Sequence, residues 1–457
     1  MGSPLLIKNG VIVNADGQRK SDALLRNGRI ETIGDEIEIA CGTIDASGML
    51  LMPGGVDPHV HLSPFVDDFS SGSSAALAGG ITTIGVMAFP DAGESVEATL
   101  LRHTRDAEAS SGVDAVFHSV LNAEGPPDAS ILDAIAASGQ STFKLFTMLG
   151  QFDEAHEAYV ELLRAARARN LMAMFHCEDA AVIARALSST LRRTRTDFCC
   201  YEGTRPVLSE VKAVQKVIAL CELTGCAVYI VHLSSAEGLK ACMDAQQRGL
   251  PVFVETRPIY LHLSSEKYCQ PDGRLYVSFP PIRALKDSDA LWRGLANGAV
   301  HTLGSDHAPL LKRQKLDPAH DLEHPRPGVG NLEEMLPMFF SEGVVKRGLS
   351  LERFVAVTSA NAAKLLGLYP RKGAIAVGSD ADLNIWDPSR EITIDARNQQ
   401  SRADFSAFEG WRVTGAPRIT IKGGVVVCED GRSIAGGGTA NVLRRSPHAF
   451  PSLLANP

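Results

Sequence analysis

The sequence lacks the features of several large classes of protein. It has no uninterrupted run of about 18 apolar residues, the length that a membrane-spanning helix needs. Its first nine residues do not show the basic and then apolar layout of a secretory signal peptide. The nine cysteines include no CxxC pair, and an odd number without regular spacing is typical of a reducing compartment. We therefore expect a cytoplasmic protein.

A surplus of basic residues is also absent. The 45 lysines and arginines are outnumbered by 53 aspartates and glutamates, which gives a formal net charge of -8. Nucleic-acid-binding domains carry clustered positive charge, so this balance argues against a nucleic-acid partner. With no membrane segment either, we expect neither a nucleic-acid nor a membrane partner.

A glycine-rich phosphate loop is missing as well. Gly54-Gly55 and Gly79-Gly80 do not have the GxGxxG spacing of dinucleotide-binding folds. This absence disfavours an open, doubly wound sheet, which is the main alternative for a chain that alternates strands and helices.

The middle of the chain does alternate short apolar runs with stretches of helical periodicity, a pattern typical of a parallel sheet. The helical stretches include residues 154–169 and 210–224. Eight candidate strands have the length and composition of buried strands: Leu50–His61, Ile81–Ala88, Ala115–Val120, Thr142–Phe146, Met172–His176, Val228–His232, Val252–Glu255 and Thr302–Asp306. Eight strand–helix units in about 320 residues predict a (β/α)8 TIM barrel with insertions.

The two ends of the chain have a different texture. Both contain short β-rich runs separated by turn signals such as Asn27-Gly28 and Gly423-Gly424, and the first run predicts a strand over Leu5–Val13. Chain ends often lie close together, and 457 residues are enough for two domains. We therefore predict a small β-sandwich domain built from residues 1–50 plus 370–457, beside a barrel of residues 51–369.

Six polar residues fall at the carboxyl ends of the predicted barrel strands: His59, His61, Lys144, His176, His232 and Asp306. Active sites of TIM barrels lie at that face. Each residue alone has a simpler explanation, since a strand-end histidine is usually a core or rim residue, Lys144 can extend its amine to solvent and Asp306 can cap a helix. The nine other histidines are scattered along the chain and form no comparable set. The six residues together therefore predict a metal centre.

The residue types explain which chemistry is expected. Strand alternation places His59 and His61 on the same side, and neutral imidazoles with the carboxylate of Asp306 suit zinc and related divalent ions. A free ammonium would be repelled by two dications, whereas a carbamate formed from Lys144 and carbon dioxide has two oxygens that can bridge them. A hydroxide between two metals is then a nucleophile at neutral pH. Asp306 can accept its proton and pass it to the leaving nitrogen.

These residues and their surroundings resemble the cyclic amidohydrolases, namely the hydantoinases, dihydropyrimidinases, allantoinases and dihydroorotases. The resemblance covers nearly the whole chain and runs through the segments Gly79–Thr83, Val231–Ser235, Glu255–Pro258, Pro280–Arg283, Gly304–Pro309 and Gly378–Leu383. The segments Phe408–Trp411 and Val413–Pro417 are closer to hydantoinases and dihydropyrimidinases. The resemblance implies two divalent metals, expected to be zinc, a carbamylated Lys144, Asp306 as both ligand and general base, and a homo-oligomer, either a tetramer or a dimer. It predicts hydrolysis of an amide bond in a small hydantoin, dihydropyrimidine or cyclic imide.

The sequence departs from these relatives around the expected substrate. Ser63 stands where dihydroorotases carry a carboxylate-binding arginine, and Leu149 stands where dihydropyrimidinases carry a tyrosine that donates to the developing oxyanion. Phe279 precedes Pro-Pro where hydantoinases have a serine, and Asn331 belongs to a loop whose backbone contacts the ring in relatives. We take Leu149, Phe279 and Asn331 as candidate substrate-binding residues of a more apolar pocket.

Other functions stay open from the sequence alone. An allantoinase-type or dihydroorotase-like hydrolase would use the same metal centre, and so would a hydrolase of acyclic amides or esters. Some relatives of dihydropyrimidinases have lost metal ligands and serve as non-catalytic scaffolds. Here all six ligand positions are filled, which favours the enzyme.

Overall fold

The computed structural model describes residues 3–62, 66–122, 125–149, 151–192, 197–434 and 440–445, so Ser63 lies outside the described residues. In chain order, strands β1 to β19 are Leu5–Lys8, Val11–Asn14, Gly17–Lys20, Asp22–Arg26, Arg29–Gly34, Gly42–Asp45, Leu50–Pro53, Gly55–Val60, Ile81–Ala88, Asp114–Val120, Thr142–Phe146, Met172–His176, Val228–Ile230, Val252–Thr256, Thr302–Leu303, Leu383–Thr393, Arg412–Lys422, Val425–Glu429 and Arg432–Ser433.

Helices α1 to α14 are Phe69–Ala78, Val96–Ser110, Ile131–Ala137, His156–Ala168, Ala180–Leu191, Tyr201–Thr204, Val207–Thr224, Ala236–Gln247, Pro258–His262, Leu285–Asn297, Lys312–Lys315, Met335–Phe339, Leu351–Val355 and Asn361–Leu365. Short 3-10 helices span Phe198–Cys200, Ser265–Cys269, Gly273–Tyr276 and Ala396–Asn398, and π-helical turns span Phe340–Val345 and Ala356–Ala360. Within the described ranges, no helix combines the length and the apolar character that crossing a membrane requires.

Strands β8 to β15 form one parallel sheet in which each strand pairs with the next along the chain. The sheet returns on itself, because Val60 at the end of β8 forms a parallel bridge with His307 beyond β15 and the His61 N–H donates to the His307 carbonyl at 2.9 Å. Strands covered on both faces are expected to be apolar throughout, and all eight residues of β9 are buried. The predicted TIM barrel is confirmed.

The first predicted barrel strand, Leu50–His61, is wrong in one respect, because it is two strands in different sheets. Residues Leu50–Pro53 pair with β16 and β2, and only Gly55–Val60 belongs to the barrel. The chain changes sheets at Gly54, where a Cβ would collide with the side chain of Thr82. Apolar periodicity continues through this change of sheet, so the pattern alone did not show it.

The predicted strand Leu5–Val13 is likewise divided. Asn9 adopts a left-handed backbone conformation with φ of 66°, a conformation that asparagine tolerates better than most residues. Leu5–Lys8 therefore joins a four-stranded sheet in the order β5-β4-β1-β6, and Val11–Asn14 joins a different sheet.

That second sheet brings the two ends of the chain together. It has seven strands in the order β19-β18-β17-β16-β7-β2-β3, so β7 from the N-terminal part pairs directly with β16 from the C-terminal part. The two sheets of the ends enclose an apolar core that includes Ile7, Leu51, Leu383 and Ile421. These sheets form a domain separate from the barrel.

Residues near the end of the described chain leave this domain and return to the barrel. Val442 forms a parallel bridge with Ala115 of β10, and Arg445 donates to the Phe117 carbonyl at 2.7 Å. The final described segment thus packs on the barrel.

A disulfide joins Cys199 and Cys269, which lie 70 residues apart. It links the short 3-10 helices Phe198–Cys200 and Ser265–Cys269 in loops that follow barrel strands β12 and β14. The spacing of the nine cysteines gave no sign of this pair, because the chain brings the two residues together only through the barrel.

Candidate metal centre and active site

Two histidines and an aspartate meet where the first and last barrel strands adjoin. The Asp306 Oδ1 lies 2.9 Å from Nε2 of His61 and 3.3 Å from Nε2 of His59. One potential ligand atom from each of the three residues lies within 4.8 Å of the others, the geometry of a candidate metal site. Strand alternation produces this arrangement, since His59 and His61 are two residues apart at the end of β8.

His176 and His232 form the second part of the cluster, at the ends of the neighbouring strands β12 and β13. Nδ1 of His176 lies 3.0 Å from Nε2 of His232, and the ring of His232 lies 5.4 Å from that of His59. Lys144 projects from β11 between these strands and the first pair, with only 1% of its surface exposed. All six predicted metal-centre residues line one cavity.

The backbone is strained at two of these positions. His232 has φ of 41° and Asp306 has φ of 46°, in the left-handed region that residues with a Cβ seldom adopt. Such conformations cost about 1–3 kcal/mol each and persist where the surrounding structure enforces them, commonly at functional sites. Here they turn both side chains into the cavity at the points where β13 and β15 end.

Burial sets the protonation of the cluster. It holds the pKa of His59 and His232 well below the usual range, and the nearby positive charge of Lys144 adds to the effect. Burial also lowers the pKa of Lys144 to about 8. Burial would raise the pKa of Asp306, but the positive charge of Arg257 and the contacts with His59 and His61 outweigh it and hold that pKa well below its usual range.

These properties fit a divalent metal. Neutral imidazoles and an ionised carboxylate are the forms that bind zinc and similar ions. Nδ1 of His232 is buried and has no hydrogen-bond partner among the described residues, although a buried polar atom normally has one. A ligand set of this kind is a candidate divalent metal site.

Two glutamates contact His59 and His176 on the ring edges that face away from the cavity. Oε1 of Glu255 lies 2.8 Å from Nδ1 of His59, and Oε2 of Glu178 lies 2.9 Å from Nε2 of His176. Carboxylates in this position fix the orientation of metal-binding imidazoles and raise their basicity. Each contact leaves the other ring nitrogen facing the cavity.

Sequence analysis missed both glutamates as functional residues. The signal was present, because Glu178 is two residues after His176 and Glu255 is in a strand neighbouring that of His232. Alternation places a residue at i+2 on the same side of an extended chain as the ligand.

The cavity has a volume of about 380 Å³, the size of a small-molecule site. Its walls beyond the six polar residues are largely apolar and comprise Phe89, Val120, Phe146, Met148, Leu149, Phe279, Ala308 and Pro327, with Arg257, Ser278 and Gly328. Of the three candidate substrate-binding residues, Leu149 and Phe279 line this cavity. Asn331 is buried outside its lining, with both side-chain polar atoms unpartnered among the described residues.

His307, the neighbour of Asp306, points away from the cavity. Its Nε2 lies 2.9 Å from Asp67, and its Nδ1 accepts the N–H groups of Asn331 and Leu332 at 3.2 and 3.3 Å. Both ring nitrogens of His307 are thus occupied by structural hydrogen bonds. Of these two neighbours, only Asp306 lines the cavity.

Comparison with known proteins identifies the family of this chain. The model of the amidohydrolase family matches residues 50–427, which is most of the chain. The chain belongs to the amidohydrolase family. Within this family it is 34% identical to a D-phenylhydantoinase of Escherichia coli over 460 aligned residues, covering 98% of this chain and 100% of the relative.

Solved structures of amidohydrolases show the same architecture. A dihydropyrimidinase from Brevibacillus agri superposes with a TM-score of 0.91 at 31% identity, covering 98% of this chain and 99% of that one. A D-hydantoinase from Thermus sp. has a TM-score of 0.91 at 33% identity, and an L-hydantoinase from Arthrobacter aurescens 0.89 at 30%. Those two similarities cover 97% and 96% of this chain and 99% of each relative.

The contact between Glu255 and His59 generates a prediction about metal affinity. In Glu255→Gln the His59 imidazole loses the carboxyl group that orients it, and affinity for zinc should fall by about 10- to 100-fold. Competition with a chromophoric chelator measures this. Glu222→Gln, whose side chain is exposed and pairs with Arg248, is the control and should bind zinc like the parent protein. Unchanged affinity in Glu255→Gln would contradict the role of this carboxylate.

Proposed function

We propose that this amidohydrolase opens a small cyclic amide of the hydantoin, dihydropyrimidine or cyclic imide type by hydrolysis. One observation carries the proposal: four histidines, a lysine and an aspartate from the ends of five strands line a single, largely apolar cavity. The names of the relatives, hydantoinases and dihydropyrimidinases over nearly their full length, point to the same class of substrate. They favour it over the allantoinase-type and dihydroorotase-like alternatives.

We propose that His59, His61, Lys144, His176, His232 and Asp306 hold two divalent metals, with zinc as the expected ion. When bound, such ions lower the pKa of a water molecule to about 7 and polarise the amide carbonyl. The protein's contribution is to keep the imidazoles neutral through burial and to orient them through Glu255 and Glu178.

The role proposed for Lys144 is that of a carbamate. Its lowered pKa, about 8, increases the share of neutral amine near neutral pH, and only the neutral amine adds to carbon dioxide. The ammonium loses one proton to give the neutral amine and a second as the new N–C bond forms, so a cation becomes an anion with two oxygens that could serve as ligands. Burial of Lys144, which is 1% exposed, makes a bare ammonium costly at this point, and the ring of Phe146, 5.2 Å from Nζ, offsets only part of that cost.

Asp306 is the proposed general base. Its Oδ1 faces His59 and His61, and its Oδ2 accepts a hydrogen bond from Arg257. Because its pKa is depressed, the carboxylate is ionised over the working range and can receive a proton from water and deliver it to the leaving nitrogen. The activity should therefore not show a limb set by titration of Asp306 alone.

The substrate class is tested with a panel of compounds on protein supplied with zinc. It contains both enantiomers of 5-phenylhydantoin, dihydrouracil, succinimide, allantoin and dihydroorotate, with an acyclic amide and an ester as controls. We expect ring opening of at least one hydantoin, dihydropyrimidine or imide. The reaction is monitored by the loss of ring absorbance and by chromatography of the product. Failure to open any cyclic amide, or faster turnover of the acyclic compounds, would overturn the proposed function.

Replacing the lysine tests the carbamate. Lys144→Ala should lose activity and bound metal because the bridging anion is gone, and added acetate or propionate should restore part of the activity by supplying a carboxylate in its place. Metal analysis and rates with increasing acid concentration measure both effects. Lys240→Ala, at an exposed lysine paired with Asp244, should behave like the parent protein. Full activity and metal content in Lys144→Ala would disprove the carbamate.

The base is tested by a substitution that keeps shape. Asp306→Asn preserves an oxygen ligand but removes the proton acceptor, so turnover should fall by about 10²–10⁴-fold while circular dichroism stays unchanged. Turnover is compared at equal metal content. If Asp306→Asn remained active with its metals bound, the proton would have to be carried by another group.

A further inference from the structure

Arg257 is a buried cation in the wall of the active-site cavity. It directly follows β14 and precedes the first residue of α9, Pro258. It lies two residues after Glu255, so alternation directs both side chains to the interior of the barrel. Its side chain is 1% exposed and lines the same cavity as the candidate metal ligands.

The guanidinium of Arg257 has more N–H donors than its contacts with Asp306 use. Its Nη1 donates to Oδ2 of Asp306, and its Nη2 donates to the Asp306 main-chain carbonyl at 3.3 Å. Its Nε is buried and has no acceptor among the described residues. A guanidinium carries five N–H donors in a planar fork, so this contact with Asp306 leaves capacity for a further anionic oxygen.

The rest of the described cavity wall has few hydrogen-bond donors for such an oxygen. Apart from the six candidate metal-centre residues, only Arg257 and Ser278 among the described lining residues have side chains with a strong hydrogen-bond donor. The Ser278 hydroxyl already donates to the Pro280 carbonyl at 2.8 Å. Leu149 and Phe279 have apolar side chains. Arg257 is therefore the side-chain donor available to a substrate oxygen in this part of the cavity.

We propose that Arg257 is a catalytic residue that binds the carbonyl oxygen of the attacked amide as it becomes anionic, and then the carboxylate of the ring-opened product. This inference rests on the proposed function. Attack of hydroxide on the amide carbon forms a C–O bond and moves an electron pair to the carbonyl oxygen. That pair re-forms the C=O bond as the C–N bond breaks, and the nitrogen takes a proton. Negative charge on oxygen persists in the product carboxylate.

The same guanidinium contacts Asp306, so one side chain would position both the general base and the substrate carbonyl. An arginine that only positioned Asp306 would need no spare donor, yet Nε is left without a partner in a site where a lost hydrogen bond is costly. A planar fork suits two oxygens from different groups better than the point charge of a lysine.

The test compares two ligands that differ only in charge. N-carbamoylphenylglycine has the carboxylate of an opened hydantoin, and N-carbamoylphenylglycinamide has a neutral amide in its place. Their affinities for the zinc-loaded protein and for Arg257→Met and Arg257→Lys are measured by calorimetry, together with the metal content and with kcat and KM on the best compound of the panel. Arg283→Lys, at a buried arginine outside the cavity lining, is the control for general disturbance.

We expect Arg257→Met to bind the carboxylate about 10- to 100-fold more weakly and the amide almost unchanged, the loss typical of a charged hydrogen bond. Its kcat should fall by about 10²–10³-fold, with a smaller change in KM, because the donor acts mainly on the developing charge. Arg257→Lys should lie between the parent and Arg257→Met, and Arg283→Lys should keep the preference for the carboxylate.

Equal weakening of both ligands, or an unchanged preference for the carboxylate at full metal content in Arg257→Met, would overturn the inference and leave Arg257 as a positioning residue for Asp306. If Arg257→Met fails to fold, Arg257→Lys decides by the same comparison. These results are distinguishable from failure of the proposed function, because the two probe ligands are acyclic and their binding does not depend on turnover.

Discussion

The candidate metal centre of this protein depends on the contacts of one buried carboxylate, that of Asp306. It contacts His59 and His61 with one oxygen and Arg257 with the other, at the junction of the first and last barrel strands. Burial alone would neutralise a carboxylate, and the charge of Arg257 together with the contacts to the two imidazoles keeps it ionised. A backbone φ of 46° at Asp306 is the conformational cost of pointing it into the cavity. The contacts that close the barrel, between Val60 or His61 and His307, are therefore adjacent in sequence to residues of the candidate site.

The two glutamates behind the histidines show how neighbours decide the charge of equally buried groups. Burial raises the pKa of Glu255 to about 8, and its hydrogen bond from Tyr229 does not offset this. Burial acts on Glu178 in the same direction, but the guanidinium of Arg205 at 2.6 Å and His176 reverse the result and lower its pKa to about 2. His176 thus has a permanently charged partner, whereas the charge of Glu255 depends on the cations that gather around His59.

The sequence supported prediction where local pattern and global fold agree. Buried strands such as Ile81–Ala88, Thr142–Phe146 and Met172–His176 have the same bounds as predicted, because each is an apolar run between turns. The candidate metal ligands at the ends of such strands follow from alternation. Prediction failed where one apolar run serves two sheets, as at Gly54, since periodicity carries no information about a change of partner strand.

Prediction also stopped short wherever function depends on contacts between distant segments. The disulfide of Cys199 with Cys269 and the contact of Arg257 with Asp306 join residues about 50 to 70 positions apart, and only the barrel brings them together. Arg257 lies in the segment Glu255–Pro258, whose likeness to relatives carries no information about the partner of its charge. A buried arginine beside a strand-end aspartate is visible only when both strands are in place.

The apolar wall of the cavity is mechanically tied to the metal centre. The ring of Phe279 lies under the guanidinium of Arg205, 3.6 Å from its centre, and Arg205 in turn pairs with Glu178, which orients His176. A change at Phe279 therefore removes the surface on which Arg205 stacks, and the effect passes to a candidate metal ligand through two charged contacts. If Phe279 and His176 have the proposed roles, this chain of three contacts couples substrate preference to metal binding.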